Sequence, residues 1–284
     1  MLTKRMILLF FRNRTQVLFS LLAVIIIIGL YVIFLSSVME QSLRTSLNLP
    51  DDVSTGGIMS GLILGGMIAV TSVTSSLGAL GRCVADKENA ARDFYTSPLP
   101  RWKIIRGYIT GATAVGLIMT MTALLISVVY LNIQNVRFSL ETYALLAVTA
   151  VLCSLAANAI AFSLTISAKN LHAYSALSNV VGTLIGFLMG IYLPVGQLPE
   201  AVQHLIRLFP LSHGASMFRQ LLADQQMIYL DAPPQYIEYL RVYFGVVFEY
   251  GSFTSNFWVS AAVLVITAIV FYALALLRIG KLWE

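Results

Sequence analysis

Few residues in this chain could do acid–base chemistry, and they are scattered. Glu88 and Arg92 stand four positions apart, and His213 follows Phe209 at the same spacing. Hydrolysis needs such groups gathered within hydrogen-bond reach of one substrate. Neither a doubled Glu nor an H-x-x-x-[NH] motif accompanies these pairs, and pairs this short recur by chance. We expect no catalytic residue, and we expect His204 and His213 to be polar residues of a loop.

The sequence contains no metal-binding or nucleotide-binding motif either. Cys83 and Cys153 lie 70 positions apart and form neither a disulfide framework nor a metal-binding pattern. We expect both to be buried packing residues. There is no G-x-x-x-x-G-K-[ST] phosphate loop, because the only Gly-Lys pair, Gly280-Lys281, is followed by Leu. The sequence predicts no metal and no cofactor in this chain.

The composition places the chain in a membrane. Hydrophobic residues make up 58% of the 284 residues and charged residues only 11%, with a mean hydropathy of +0.83. Soluble domains carry about 25% charged residues. The net charge of +5 does not indicate a nucleic-acid partner, because the basic residues flank apolar runs instead of forming one patch.

Six apolar runs are long enough to cross a bilayer as helices, which need about 20 residues. None contains Asp, Glu, Lys, Arg or His. We predict an all-α integral membrane protein, one domain over residues 1–284, with an interfacial helix before the first span. The spans are 17–38, 57–80, 109–131, 143–167, 173–193 and 257–277.

The distribution of positive charge predicts the orientation. With both termini in the cytosol, 13 of the 18 Lys and Arg residues lie on the cytosolic side, where such residues are enriched. The long segment 194–256 is then outside. Its helical apolar spacing and Pro199 and Pro210 predict two short helices, which either dip back into the outer leaflet or lie flat on it.

Small and polar residues mark two of the spans. Glycine recurs at every fourth position, a spacing that lets another backbone approach closely. One interpretation is packing within the chain, and the other is a face against a second copy or a transport pathway. The residues predicted for an interface or pathway are Gly57, Gly61, Gly65, Thr71, Thr74, Ser75, Ser178, Asn179, Gly182, Thr183, Gly186 and Gly190.

The spans lack the ionisable residue that ion-coupled carriers usually keep there. A pathway through them would be weakly polar, and its energy would enter from elsewhere. Asn158 and Asn179 are hard to leave facing lipid, so we expect them at helix contacts or in a cavity wall.

Three segments together resemble the permease of ABC-2 type transporters. The opening "KRMILLFFRNRTQVLFSLL" is similar to the family's basic interfacial helix. "SPLPRWKIIRGYITG" resembles its loop before span three, and "YLPVGQLPEAVQHLIRLFPLSHGASMFRQLL" resembles its outer segment before the last span. The resemblance covers essentially the whole chain. It departs from the family at "KENAARDF", where Asn89 and Ala90 stand near a usual Gly-Thr pair.

The resemblance implies a short cytosolic coupling helix over Asp86–Tyr95 that a separate ATPase grips. An ordinary positively charged loop is the alternative. Its charges could also pair with the N-terminal helix. The complete complex would hold two copies of the ATPase, which bind ATP and Mg, and a permease homodimer in the cell membrane. The predicted coupling residues are Asp86, Lys87, Glu88, Arg92, Asp93, Phe94 and Tyr95.

The resemblance further implies export of an amphipathic or hydrophobic substrate, such as a drug, an antibiotic, a lipid-like metabolite or a small peptide. Export of a polysaccharide or glycolipid is the main alternative. Outside the family, an intramembrane CAAX-type protease, a secondary carrier and an ion-independent channel stay open.

Overall fold

The computed structural model describes residues 2–15, 17–18, 22, 25–26, 29, 56–89, 100–227, 233–251 and 253–277. Most of the predicted first span and all of Arg92–Tyr95 lie outside the described residues. The helices are α1 Leu2–Arg12, α2 Gly56–Asn89, α3 Arg101–Ile133, α4 Leu140–Ser167, α5 Leu171–Leu188, α6 Glu200–Leu208, α7 Pro210–Arg219, α8 Pro234–Tyr243 and α9 Phe257–Leu277.

Three short elements complete the described fold. A 3-10 turn, Val195–Gln197, precedes α6, and α7 continues through a π-helical segment, Gln220–Asp224, into a last turn, Gln225–Met227. Strands β1 Glu249–Tyr250 and β2 Phe253–Thr254 form an antiparallel hairpin just before α9.

Five of the described helices, α2 to α5 and α9, are long and apolar enough to cross a membrane. They match predicted spans two to six and confirm the all-α membrane class. Their ends differ from the prediction. Hydropathy marks only the length inside hydrocarbon, and α2 and α3 continue beyond it, to Asn89 and from Arg101. Residues 86–89 are therefore the last turn of α2 and not the start of a separate coupling helix.

Helix α5 ends at Leu188 and not at the predicted 193. Gly190 has φ +60, a left-handed conformation that terminates helices and that glycine adopts without strain. The five residues that follow Leu188 therefore form a turn. We call residues 189–193 the α5 turn.

Helix α2 lies at the centre of the bundle and packs against α3, α4, α5 and α7. Helix α9 packs against α4 and α7. Helix α1 buries Met6 and Phe10 along the start of α3. Gly107 and Gly111 receive α1 there, since an added Cβ would lie 2.6 Å from Leu2 Cβ and from Met6 Cβ respectively.

Helices α6 and α7 form a helical hairpin, and α7 packs inside the bundle against α2, α4 and α9. Pro210 begins α7, where a missing N–H costs nothing. A Cβ at Gly214 would lie 2.7 Å from Cys153 Sγ, in the middle of α4. This packing favours the re-entrant alternative over a pair of helices lying flat. The end of the bundle that carries this hairpin is called the hairpin end, and the opposite end is called the α1 end.

Candidate transport cavity and coupling junction

A cavity of about 750 Å³ lies between α2 and α5. No Lys, Arg, His or carboxylate is among the described residues that line it. The described part of the cavity wall therefore presents only neutral side chains, some apolar and some with hydroxyl or amide groups. Its lining residues are Thr74, Leu77, Gly78, Gly81, Leu171, Tyr174, Ser175, Ser178, Asn179, Gly182, Thr183 and Tyr192.

Five of the predicted interface or pathway residues line this cavity: Thr74, Ser178, Asn179, Gly182 and Thr183. The Thr183 hydroxyl donates to Asn179 O at 2.9 Å, and Thr74 donates to Val70 O at 3.2 Å. Because helix carbonyls already accept from these hydroxyls, the wall is less polar than its residue types suggest.

Other predicted residues are buried away from the cavity. The hydroxyls of Thr71 and Ser75 donate to carbonyls of their own helix, at 2.9 Å to Met67 O and 2.6 Å to Thr71 O. They need no partner from another helix.

The glycine stripe of α2 is covered by the helix that follows α6. A Cβ at Gly61 would lie 2.6 Å from Leu222 O, and one at Gly65 would lie 2.9 Å from Arg219 N. A Cβ added at Gly57 would likewise collide with the Gln226 side chain. Packing within the chain therefore accounts for this stripe, and α7 occupies the face that a second copy would need.

The three glycines predicted on span five have three different surroundings. Nothing lies within 4 Å of a Cβ added to Gly182, which borders the cavity. Gly186 lies under the ring of Tyr192, and Gly190 supplies the positive φ of the α5 turn.

Two tyrosines that line the cavity were not predicted from the sequence. Tyr174 is buried and donates its hydroxyl to Leu77 O at 2.6 Å, which ties α5 to α2. The exposed Tyr192 packs edge-to-face on Phe187, with ring centroids 5.0 Å apart. Gly78 and Gly81 were also missed, although they lie one and two turns after Thr74 on the same face of α2.

At the α1 end, Asp86 joins three helices. Its carboxylate accepts from Arg5 at 2.7 Å and from the Tyr108 hydroxyl at 2.7 Å, and it pairs with Arg82 at 3.3 Å. Asp86 is buried, and its hydrogen bond raises the pKa of the Arg5 guanidinium. The predicted ion pair with the N-terminal helix is present, so Asp86 positions α1 against α2 and α3. We call these four residues the coupling junction.

Glu88 and His213 lie at opposite ends of the bundle, so they cannot share a hydrolytic site. Glu88 accepts from the backbone N–H of Leu171 at 2.7 Å, at the start of α5. His213 contacts Ser260 Oγ and Tyr250 Oη, each at 3.1 Å. The expectation for His213 was wrong, because α7 places it in the bundle with only 3% of it exposed.

Asn158 and the two cysteines lie in the surroundings that the sequence predicted. Asn158 lies at a helix contact, where its Oδ1 accepts from the Tyr272 hydroxyl at 2.9 Å. Cys83 and Cys153 are both free and buried. The prediction for the coupling residues Arg92, Asp93, Phe94 and Tyr95 lies outside the described residues.

Arg219 is buried at the hairpin end, with 2% of it exposed, and sequence reasoning gave it no role. Its guanidinium donates to the carbonyl oxygens of Leu62, at 3.0 Å, and Gly190, at 3.0 Å. It also donates to Met189 O and to Gly245 O. A charge in the re-entrant helix is thus held by backbone dipoles from three separate segments.

The fold and this cavity define an α-helical membrane protein with an uncharged, open chamber between two of its spans. A family model described as ABC-2 type transporter matches residues 1–223. The chain therefore belongs to the ABC-2 type transporter family and is a permease component of an ABC transporter. Permeases of this family normally work with an ABC ATPase partner. No curated protein matches the chain.

Proposed function

We propose that this permease exports a neutral or weakly polar amphipathic molecule through the cavity between α2 and α5. The observation that carries the proposal is the cavity itself, about 750 Å³ with no lysine, arginine, histidine or carboxylate among its described lining residues. The space is a groove that is open to its surroundings, and its volume is similar to that of pockets that hold drug-sized molecules. A drug, an antibiotic, a lipid-like metabolite or a small hydrophobic peptide suits such a lining.

The energy enters at the α1 end, which faces the cytosol of a cell membrane in this proposal. A separate ATPase binds the segment that follows α2, and the coupling junction passes the movement of that segment to α1 and α3. Asp86 suits this task because its buried carboxylate holds all three helices at once.

The working complex contains two permeases and two ATPases in this proposal. Helix α5 supports a permease homodimer, because Val180, Leu184 and Phe187 are exposed on it at one-turn spacing. The mass of the purified complex tests this stoichiometry.

Gly182→Trp tests the route of the cargo. An indole at Gly182 enters the cavity without meeting other atoms near its Cβ. In proteoliposomes that hold the complex with its ATPase, we expect transport of a short-chain fluorescent phosphatidylcholine to fall more than tenfold, with assembly unchanged. Ala262→Trp is the matched control, because Ala262 is exposed on α9. Equal transport by both variants would place the route elsewhere.

Export of a glycolipid or polysaccharide is a second candidate that one observation favours. Tyr174 and Tyr192 both line the cavity, and aromatic rings can serve as platforms for sugar faces. In the same proteoliposomes, a polyprenyl-linked oligosaccharide would then stimulate ATP hydrolysis and the fluorescent phospholipid would not.

A further inference from the structure

Arg219 is held in a way that suits a releasable contact. Its nearest acceptors are four backbone carbonyl oxygens, those of Leu62, Met189, Gly190 and Gly245. A planar guanidinium with a fixed fork of donors fits several acceptors at once, which the single ammonium of lysine does not. Carbonyl dipoles carry no net charge, so this contact holds the cation with less attraction than a buried carboxylate would give.

The acceptors belong to three separate elements of the fold. Leu62 lies in α2, and Gly245 follows α8. Met189 and Gly190 follow the last residue of α5, where helix carbonyls have no partner within the helix and carry the negative end of its dipole. Arg219 therefore caps α5 and ties that cap to α2.

The α5 turn also contains a residue that lines the cavity. Tyr192 stands two residues after Gly190, and its ring covers Gly186 and borders the cavity. A Cβ at Gly186 would lie only 2.6 Å from Tyr192 Cζ, so the ring rests directly on α5. The position of this ring depends on the α5 turn, and the turn depends on Arg219.

Room for a small shift exists beside the guanidinium. A cavity of about 20 Å³ is lined by Met59, Ile63, Gly190 and Arg219 among others. That volume holds about one water molecule. The π-helical segment Gln220–Asp224 follows Arg219 directly, and such segments occur often at functional sites.

We propose that Arg219 is a latch that holds Tyr192 across the hairpin end of the cavity, and that cargo leaves only after the guanidinium releases Met189 and Gly190. This inference rests on the proposed function of the cavity as the route of the cargo. In it Arg219 is a positioning residue, because it acts on the cavity through the α5 turn.

The test measures access to the cavity and needs no cargo. A cysteine replaces Thr183, which is exposed and lines the cavity one turn below Phe187. Cells that express the chain with its ATPase are treated with a membrane-impermeant maleimide, and labelling of the chain without Thr183→Cys is subtracted. Adding Arg219→Met should raise the labelling rate at least fivefold. Arg219→Lys should give an intermediate rate, and Arg137→Met, at an exposed arginine, should give none of the increase.

Chemical rescue separates a latch from general loosening of the fold. With Arg219→Ala, millimolar guanidinium chloride should restore slow labelling, because the free ion fits among the four carbonyls. Tyr192→Ala should label fast with or without guanidinium. Labelling of Arg219→Met at the parent rate would overturn the proposal, and so would fast labelling of Arg219→Ala that guanidinium does not reverse. Slow labelling of Tyr192→Ala would overturn it too.

The outcome is distinguishable from failure of the proposed function. If the Arg219 variants label as expected while Gly182→Trp leaves cargo transport intact, the latch stands and the cavity is not the route. If Gly182→Trp blocks transport while the Arg219 variants label at the parent rate, the route stands and the latch is wrong.

Discussion

At the scale of single residues, Asp86 is the side chain that joins helices α1, α2 and α3 at the α1 end. Three donors converge on its carboxylate, and two of them, Arg5 and Tyr108, belong to helices other than its own. A carboxylate in this position is hard to replace, because each donor would be left without its acceptor.

We predict that Asp86→Asn lowers the free energy of unfolding by about 1–3 kcal/mol, the range for leaving buried hydrogen-bonding groups unpaired. The partly exposed Arg5 and Arg82 keep the loss below that of a fully buried pair. Thermal unfolding of the purified complex measures the change. The Tyr108→Phe variant, which removes one donor, should lose less.

Glu200→Gln is the control for this substitution, because the Glu200 side chain is 90% exposed. It should unfold like the parent. If Asp86→Asn unfolds at the temperature of Glu200→Gln, the coupling junction does not hold the helices together.

The role of a residue could be predicted where the residue types of one helix indicate it. A run of small and weakly polar residues on α5 indicated Ser178, Asn179, Gly182 and Thr183, and all four line the cavity. Arg219 was not predictable, because its acceptor Leu62 is 157 positions away in sequence. From sequence it counts only as one of the outer positive charges.

At the scale of elements, α2 packs closely against the π-helical segment Gln220–Asp224 that continues α7. Gly61 lets the two backbones approach, since a Cβ there would lie 2.6 Å from Leu222 O. A backbone carbonyl inside a helix cannot move aside as a side chain can.

Gly61→Leu should therefore lower the free energy of unfolding by about 1–3 kcal/mol, the usual range for overpacking. Gly182→Leu is the matched control on another helix, because no atom lies within 4 Å of an added Cβ there. Size-exclusion profiles and thermal unfolding in detergent compare the two. Similar stability of both variants would mean that α7 does not pack on the glycine stripe.

Hydropathy predicted the existence of the described spans but not their ends. The length of α2 past residue 80 comes from contacts of Asp86 with other helices, which no local window contains. The end of α5 comes from one backbone angle at Gly190. The choice between a re-entrant and a flat hairpin also needed tertiary packing, because amphipathic spacing fits both.

At the scale of the whole molecule, the arrangement separates two tasks. At the α1 end, the buried Asp86 joins α1 through an ion pair with Arg5 and α3 through a hydrogen bond from Tyr108, and the hairpin end carries the turn that borders the cavity. The uncharged cavity lies between them, and the described spans hold no acid or base at the cavity wall that an ion gradient could drive. An ABC ATPase, the usual partner of this family, would supply the energy.

The most direct measurement compares proteoliposomes that hold this chain alone with proteoliposomes that hold it together with its ATPase. The probe is the short-chain fluorescent phosphatidylcholine, whose transfer between leaflets is read by chemical quenching. The account predicts ATP-dependent, vanadate-sensitive transfer only when the ATPase is present, and no transfer by the chain alone under a proton or sodium gradient. Transfer driven by such a gradient without the ATPase would contradict it.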